Sequence, residues 1–416
     1  MNFTSKNFLT AVFLIWTAVL FAGDFNSKTA VDMLVSARRT AVDFWSHPRA
    51  IDPESGYHIW INAKNEKERE PEKWGNPMAE ALRVFYTHAT AYSLAGTPQE
   101  KARIRKMLDY GMNYFAERRK AGNGVFPNKE KFDTVRRCIR QVNAVYMISD
   151  AAIFTGDRKI AEFAAGLFEE VCRKYYDPEH GGFFERLPEE KPPVRYKRLE
   201  TQLLALSALN SLCKLYPQKR DYRQKLQDMF DILTNRKLYH NSGYPYEWYY
   251  SDFKPFTGKP MYDELQYGHA AENGWMICEA AETLGVADEK VTAILAPMAE
   301  ALLREGADES GAARMVGSYS KGVPENDFDP FWWNSLELMN FSIYYYNVSG
   351  DKRFLDFYFK LGNYAFENFP LSDGVWTQVA KTSKLPRYRG GYMYKSGWHL
   401  THAVTLQTRL LKDIIQ

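Results

Sequence analysis

Asp177-Pro178-Glu179-His180-Gly181-Gly182-Phe183-Phe184 is a turn followed by aromatic residues, set between two amphipathic helical patterns at 158–175 and 198–216. The same arrangement comes earlier as Asp52-Pro53-Glu54-Ser55-Gly56-Tyr57-His58-Ile59-Trp60. Looser versions follow at Asn241-Ser242-Gly243-Tyr244 and at Ser372-Asp373-Gly374-Val375-Trp376. A Gly-centred turn with alternating aromatics behind it predicts a short strand or hairpin. A unit that recurs between helices predicts a repeat architecture.

Working outward, apolar residues recur at three- and four-residue intervals over 27–46, 78–96, 100–120, 137–155, 158–175, 198–216, 219–235, 267–285, 288–304, 330–348, 351–367 and 397–415, which predicts twelve helices. Short junctions with breakers, such as Ala95-Gly96-Thr97-Pro98, Thr155-Gly156-Asp157 and Ser349-Gly350-Asp351, make sequential helices antiparallel neighbours. Helix pairs with intervening hairpins predict an all-α closed toroid, the (α/α)6 barrel, with hairpins and long loops at one rim. In that arrangement the even-numbered helices line the inside. The stretches 236–266 and 305–329 lack a helical period and are expected to shape the rim. At the start of the tenth helix, Asp329 is expected to cap, with Asp327 nearby and Pro330 at the first helical position.

Bulk properties set bounds. With 54 basic and 51 acidic residues and no Lys/Arg run, nucleic acid is not an expected partner. Aromatic residues make up 15% of the chain, which suits a large helical core and also suits carbohydrate. Lys6 precedes the apolar run from Phe8 to Phe21, and Ala22-Gly23 offers a cleavage point. That predicts a signal peptide over 1–22, a single barrel domain over 23–416, and a periplasmic or secreted location. The run is short for a membrane span, so the membrane is an expected partner only through this segment. Cys138, Cys172, Cys213 and Cys278 each fall in a separate helix without C-x-x-C spacing, and are read as buried thiols.

The chemistry-bearing stretch is Tyr267-Gly268-His269-Ala270-Ala271-Glu272-Asn273-Gly274-Trp275. It places His269 and Glu272 on one helical face, three residues apart. A second histidine, His399, opens the last helix in Gly397-Trp398-His399. Arg83, Glu337 and the pair Trp332 and Trp333 also fall on even-numbered helices. Two imidazoles brought together from distant helices suit proton transfer on a carbon acid, because an ordinary imidazole titrates near about 6.5. A carboxylate fixes the tautomer, and an arginine stabilises an enediolate as charge develops. No metal or redox cofactor is required by that chemistry, and no H-E-x-x-H motif is present.

These segments resemble those of the N-acylglucosamine 2-epimerase superfamily, which also contains cellobiose 2-epimerases and aldose–ketose isomerases of the mannose isomerase type. Its Y-G-H-x-x-E-x-x-W-L pattern matches Tyr267 to Met276. Its W-W-x-Q-A-E pattern matches Trp332 to Glu337, with Ser335-Leu336 in place of Gln-Ala. Its R-x-x-[FWY] helix matches Arg83 to Tyr86. Its late Y-H-x-x-R-A element matches Trp398-His399-Leu400-Thr401-His402-Ala403, with His402 where the arginine usually stands. The resemblance implies the (α/α)6 barrel and a reversible change at C2 of a sugar. It implies His269 and His399 as the acid/base pair, with Glu272 and Glu337 orienting or polarising. Arg83 would bind substrate oxygens, and Trp332, Trp333 and His402 would complete the substrate contacts.

The leading expectation is therefore a cofactor-independent sugar 2-epimerase or aldose–ketose isomerase acting on a mono- or disaccharide. A homodimer is the self-association expected. Two alternatives stand beside it. One is an exported glycoside hydrolase or polysaccharide lyase on the same toroid, using Glu272 with Glu337 or Asp263. The other is a sugar-binding relative without activity, suggested by the altered tryptophan motif and by His402.

Overall fold

A computed structural model describes residues 24–46, 77–126, 138–185, 195–323, 329–388 and 397–415. The expected signal segment, the turn at 52–60 and Asp327 lie outside the described residues. Twelve helices are described: α1 (Ala30–Trp45), α2 (Pro77–Leu94), α3 (Pro98–Ala121), α4 (Cys138–Thr155), α5 (Arg158–Tyr175), α6 (Leu199–Leu215), α7 (Arg220–Leu233), α8 (Tyr267–Leu284), α9 (Asp288–Glu305), α10 (Trp332–Ser349), α11 (Lys352–Asn368) and α12 (Trp398–Ile415). Each of the twelve predicted helices is present, with boundaries within a few residues of those expected.

The even-numbered helices form the inner ring. α2 packs on α4, α4 on α6, α6 on α8, α8 on α10, α10 on α12, and α12 returns to α2. Each odd-numbered helix packs outside its ring partner, and α1 closes the outer layer against α12. This is the (α/α)6 toroid.

Burial explains which helices go inside. In α10 every residue from Trp332 to Tyr345 is buried, and α6 is nearly as complete. Helices apolar or small all round must be surrounded. In contrast α5 buries a single stripe, including Ile160, Ala164, Leu167, Phe168 and Val171, and leaves the opposite face to solvent. Three outer helices also carry side-chain caps. Thr97, Asp157 and Asp351 accept from backbone N–H groups in the first turns of α3, α5 and α11.

The inner helices start differently. Cys138 N donates to Glu185 O, Leu199 N to Glu247 O, Tyr267 N to Met315 O and Trp332 N to Gln378 O. Each acceptor belongs to the return loop of the next repeat, so backbone replaces the side-chain cap. The expected cap at Asp329 is therefore corrected: α10 begins at Trp332, Phe331 occupies the cap position with no side-chain bond, and Gln378 O takes the first N–H.

Return loops follow the outer helices at one end of the ring. Their turns close through single bridges, Tyr176 with Phe183, Tyr239 with Pro245, Ala307 with Ala313 and Pro370 with Trp376. The longer strands pair between loops rather than within one. β1 (Tyr196–Arg198) runs antiparallel to β2 (Trp248–Tyr250), and β3 (Glu264–Gln266) to β4 (Val316–Ser318). At the turns, Gly243 and Gly311 have φ of 96° and 91°. A Cβ at either would lie 2.6 Å from a backbone oxygen of the next outer helix, Pro297 O or Lys360 O. Only glycine meets both demands. Gln202 of α6 fastens one loop, accepting from Phe183 N at 2.8 Å and donating to Phe183 O at 2.8 Å. Gln141 of α4 does the same with Phe126 at 2.9 and 3.0 Å.

The four cysteines are free thiols. Cys138, Cys213 and Cys278 are buried and Cys172 is half-buried. Among the described residues no helix is long and apolar enough to cross a membrane.

Candidate active site

Because the inner helices run parallel, their N-termini converge at the end that carries the return loops. His269 is the third residue of α8 and His399 the second of α12. Trp333, in the first turn of α10, lies between them. Its ring centroid is 5.8 Å from that of His269 and 5.7 Å from that of His399. Two histidines 130 positions apart in the chain are thus brought to one indole.

Each imidazole is held by a carboxylate through Nδ1. For His399 the partner is Glu337, with Oε1 at 2.7 Å. Glu337 is wholly buried, and its other oxygen accepts from Trp275 Nε1 at 2.7 Å and Asn340 Nδ2 at 3.2 Å. These bonds fix the carboxylate, so His399 receives a single orientation. For His269 the partner is Glu247, both of whose oxygens lie 3.1 Å from Nδ1. Burial works against a charged His269, but the Glu247 carboxylate, with smaller help from Glu200 and Glu272, raises it to about 9. At neutral pH His269 is therefore an imidazolium. With both Nδ1 atoms committed to carboxylates, proton traffic falls to Nε2 on each ring.

Glu247 was missing from the sequence-based site, which paired His269 with Glu272. Glu272 acts on His269 more weakly than Glu247 does, and it is also grouped with Glu337 and His399. One ligand atom from each of the three lies within 4.8 Å of the others, a set that could hold a metal ion. Two of those residues already bond each other, through Glu337 Oε1 and His399 Nδ1. A signal for Glu247 does exist in the repeat. It stands four residues beyond the turn glycine Gly243, as Glu185 stands four beyond Gly181. Glu185 accepts from Thr201, the third residue of α6, just as Glu247 holds the third residue of α8.

The remaining candidates divide. Arg83 is buried on α2, one turn before Thr87, and Thr87 meets Thr401 of α12 at 3.3 Å. This puts Arg83 at the same end of the ring as His399. Trp332 points elsewhere. It is fully buried and packs on Trp376 of a return loop, at 6.4 Å between centroids. His402 sits one turn deeper than His399, stacks on Trp398 at 5.3 Å, and places Nε2 3.0 Å from Tyr146 OH. Burial lowers it to about 4, so it is neutral. Asp263, considered as a hydrolytic carboxylate, is used by β4: it accepts from Ser318 and, at 3.0 and 2.7 Å, from Ser320 N and Oγ. An additional cation missed by sequence reasoning is Arg198, which stacks 4.6 Å over Trp248 beside Glu200 and Glu247.

Comparison with known proteins identifies the family and the fold. The family model described as N-acylglucosamine 2-epimerase matches residues 56–388. A cellobiose 2-epimerase of Bacteroides fragilis is 24% identical over 282 residues, which are 64% of this chain and 69% of that protein. The structure of cellobiose 2-epimerase from Spirochaeta thermophila superposes with a TM-score of 0.78 at 19% identity, covering 94% of this chain and 98% of that one. A D-mannose isomerase structure superposes with a TM-score of 0.76 at 15% identity, covering 91% and 97%. At such identities the structural likeness speaks to the fold.

Proposed function

The chain belongs to the N-acylglucosamine 2-epimerase family, and from that premise we propose that it is a carbohydrate epimerase or isomerase that moves a proton at C2 of an open-chain sugar between His269 and His399. The observation that carries the reading is the pair of carboxylate-held imidazoles on either side of Trp333.

The roles follow from the charges. His269 begins as an acid, so removal of the C2 hydrogen falls to His399, whose ring Glu337 orients. Loss of that proton makes an enediolate. The imidazolium of His269 and the positive ends of the inner helices stabilise the developing charge, and Arg83 adds to this at the substrate oxygens. Return of a proton to the opposite face of C2 inverts the centre; delivery to C1 gives the ketose. In the reverse direction the two histidines exchange roles. Trp333 supplies a flat apolar face for the sugar.

The hydrolase reading is less well supported. Glu337 spends one oxygen on Trp275 and Asn340 and the other on His399, which leaves little of it for a glycosidic bond. A non-catalytic sugar binder is also less favoured, because the paired imidazoles retain the carboxylates that acid/base chemistry needs. Export through residues 1–22 remains part of the proposal, and cell fractionation of the tagged full chain tests it.

Incubation in deuterated water with N-acetylglucosamine, N-acetylmannosamine, mannose, glucose and cellobiose tests the activity. Deuterium is expected at C2 or C1 of one of them with wild type, and not with His269→Ala or His399→Ala. Exchange that persists in both variants rejects the assigned roles.

A further inference from the structure

The opposite end of the barrel holds a cavity of about 570 Å³, lined by neither His269 nor His399. It is lined from the C-terminal halves of α4, α6, α8 and α12 by Asp150, Ser211, Lys214, Glu279 and Arg409, with His402 also in its wall. An aromatic layer separates it from the candidate active site. Trp275 and Trp398 lie 4.9 and 5.3 Å from the His402 ring, and Tyr86 and Tyr146 close the layer at 6.1 and 6.3 Å. The volume is in the range of small-molecule sites and far exceeds what a metal ion needs.

Its chemistry favours positive charge. Asp150, Glu279 and Glu282 outnumber Lys214 and Arg409. Arg409 is already engaged, donating to Tyr344 OH at 2.5 Å, while Tyr344 OH donates to Glu279 at 3.0 Å. Lys214 is exposed. The parallel inner helices also direct their negative C-terminal ends here, opposite in sign to the active-site end. Burial raises the Asp150 carboxyl to about 7 despite hydrogen bonds from Ser211 and Tyr86, so it is partly ionised at neutral pH and an arriving cation favours its charged form. Finally, His402 is 5% exposed, and its Nδ1 has no hydrogen-bond partner among the described residues. Neutral at physiological pH, it offers a ring nitrogen to a ligand. The hydroxyls of Ser211, Thr283 and Thr405 donate to Asp150 Oδ1, Asn210 Oδ1 and Thr401 O, which leaves their oxygens to accept from a hydroxylated molecule.

We propose that this cavity is a second binding site, separate from the candidate active site, for a small hydroxylated organic cation whose ammonium group is taken by Asp150 and Glu279 and whose polar body reaches His402. The reading does not depend on the sugar chemistry at the other end.

Calorimetric titration with three six-carbon probes tests it: 1-amino-1-deoxy-D-glucitol, neutral D-glucitol and anionic D-gluconate. None has an aldehyde or ketone to react. The ammonium probe is expected to bind at least tenfold more tightly than the other two. Asp150→Asn is expected to weaken it at least tenfold. Because a buried substitution can disturb folding, Ile153→Lys provides an independent variant. Ile153 lines the cavity and is 39% exposed, so a lysine there puts a cation in the cavity without opening the core. It should weaken the ammonium probe similarly, with an unchanged melting curve. His269→Ala should leave binding intact. Equal affinity for the three probes overturns the proposal, as does no binding at all. Binding that is lost in His269→Ala yet kept in Asp150→Asn and Ile153→Lys also overturns it.

Discussion

Glu247 caps α6 with its backbone oxygen and holds His269 of α8 with its carboxylate. One loop residue therefore ties the start of one inner helix to the acid/base group on the next. Its repeat counterpart, Glu185, makes the same two contacts with Cys138 of α4 and Thr201 of α6, where the outcome is structural only. The site uses a fastening that the repeat already provides, with an imidazole in place of a hydroxyl.

Replacing Glu247 by Gln keeps the shape and removes the charge. His269 then falls from about 9 toward its ordinary value of about 6.5. If the imidazolium is the resting acid, wild-type exchange holds up to about pH 9, and in Glu247→Gln the alkaline limb moves down by one to two and a half pH units. A pH–rate profile of deuterium exchange checks this. An unmoved alkaline limb would detach His269 from that ionisation.

The same pair contributes to stability with a definite sign. The folded value lies above the unfolded value, so the contribution is fully present below about 6.5 and is lost as pH rises through about 9. Its size is on the order of 3 kcal/mol. Wild-type Tm is expected to drop between pH 7 and 10 by more than that of Glu247→Gln, whose histidine has lost the raised value that links its charge to folding. Thermal melts of both proteins across that range decide it.

The fold was legible because burial imprints a period. Inner and outer helices alternate in the sequence as all-round apolar and one-sided patterns, and breakers such as Thr155-Gly156-Asp157 mark each junction. His269 and His399 were legible as helix-opening histidines, and Trp333 through its motif. Glu247 was not, because a loop carboxylate has no periodicity and its partner lies 22 residues on. His402 lies in another layer for a related reason. Three residues along a helix keep a side chain on nearly the same face but move it about 4.5 Å deeper. That displacement takes it out of the His399 layer and into the wall of the opposite cavity.

Glu337→Gln tests the second carboxylate. The amide oxygen can still accept, but the amide NH2 must then face either His399 Nδ1 or the Trp275 and Asn340 donors, which places its two donors in a fully buried site. Exchange is expected to fall by roughly 10²–10⁴-fold, the span of general acid–base contributions. Binding of a non-reacting sugar alcohol should change little. A comparable loss of binding would instead make Glu337 a substrate-contacting residue.

Gly268 provides the last test, because it isolates Trp333 from the histidines. The first turn of α8 approaches α10 so closely that a Cβ on Gly268 would lie 2.3 and 2.5 Å from Cζ3 and Cη2 of the Trp333 indole. Neither atom can stay at those distances, so in Gly268→Ala the ring must shift. Overpacking of this kind costs about 1–3 kcal/mol, which a large helical ring can absorb. Helix propensity itself favours alanine over glycine by about 1 kcal/mol, which offsets part of that cost. The main effect should therefore appear in function. With the indole displaced, the two imidazoles no longer share one flat surface, and exchange should fall more than tenfold while Tm changes by only a few degrees. Gly285→Ala is the matched control: this glycine caps α8 at a φ of 74° with open space around its Cβ position, so the change is a local backbone strain away from the site. Exchange that survives in Gly268→Ala as it does in Gly285→Ala would remove Trp333 from the catalytic arrangement.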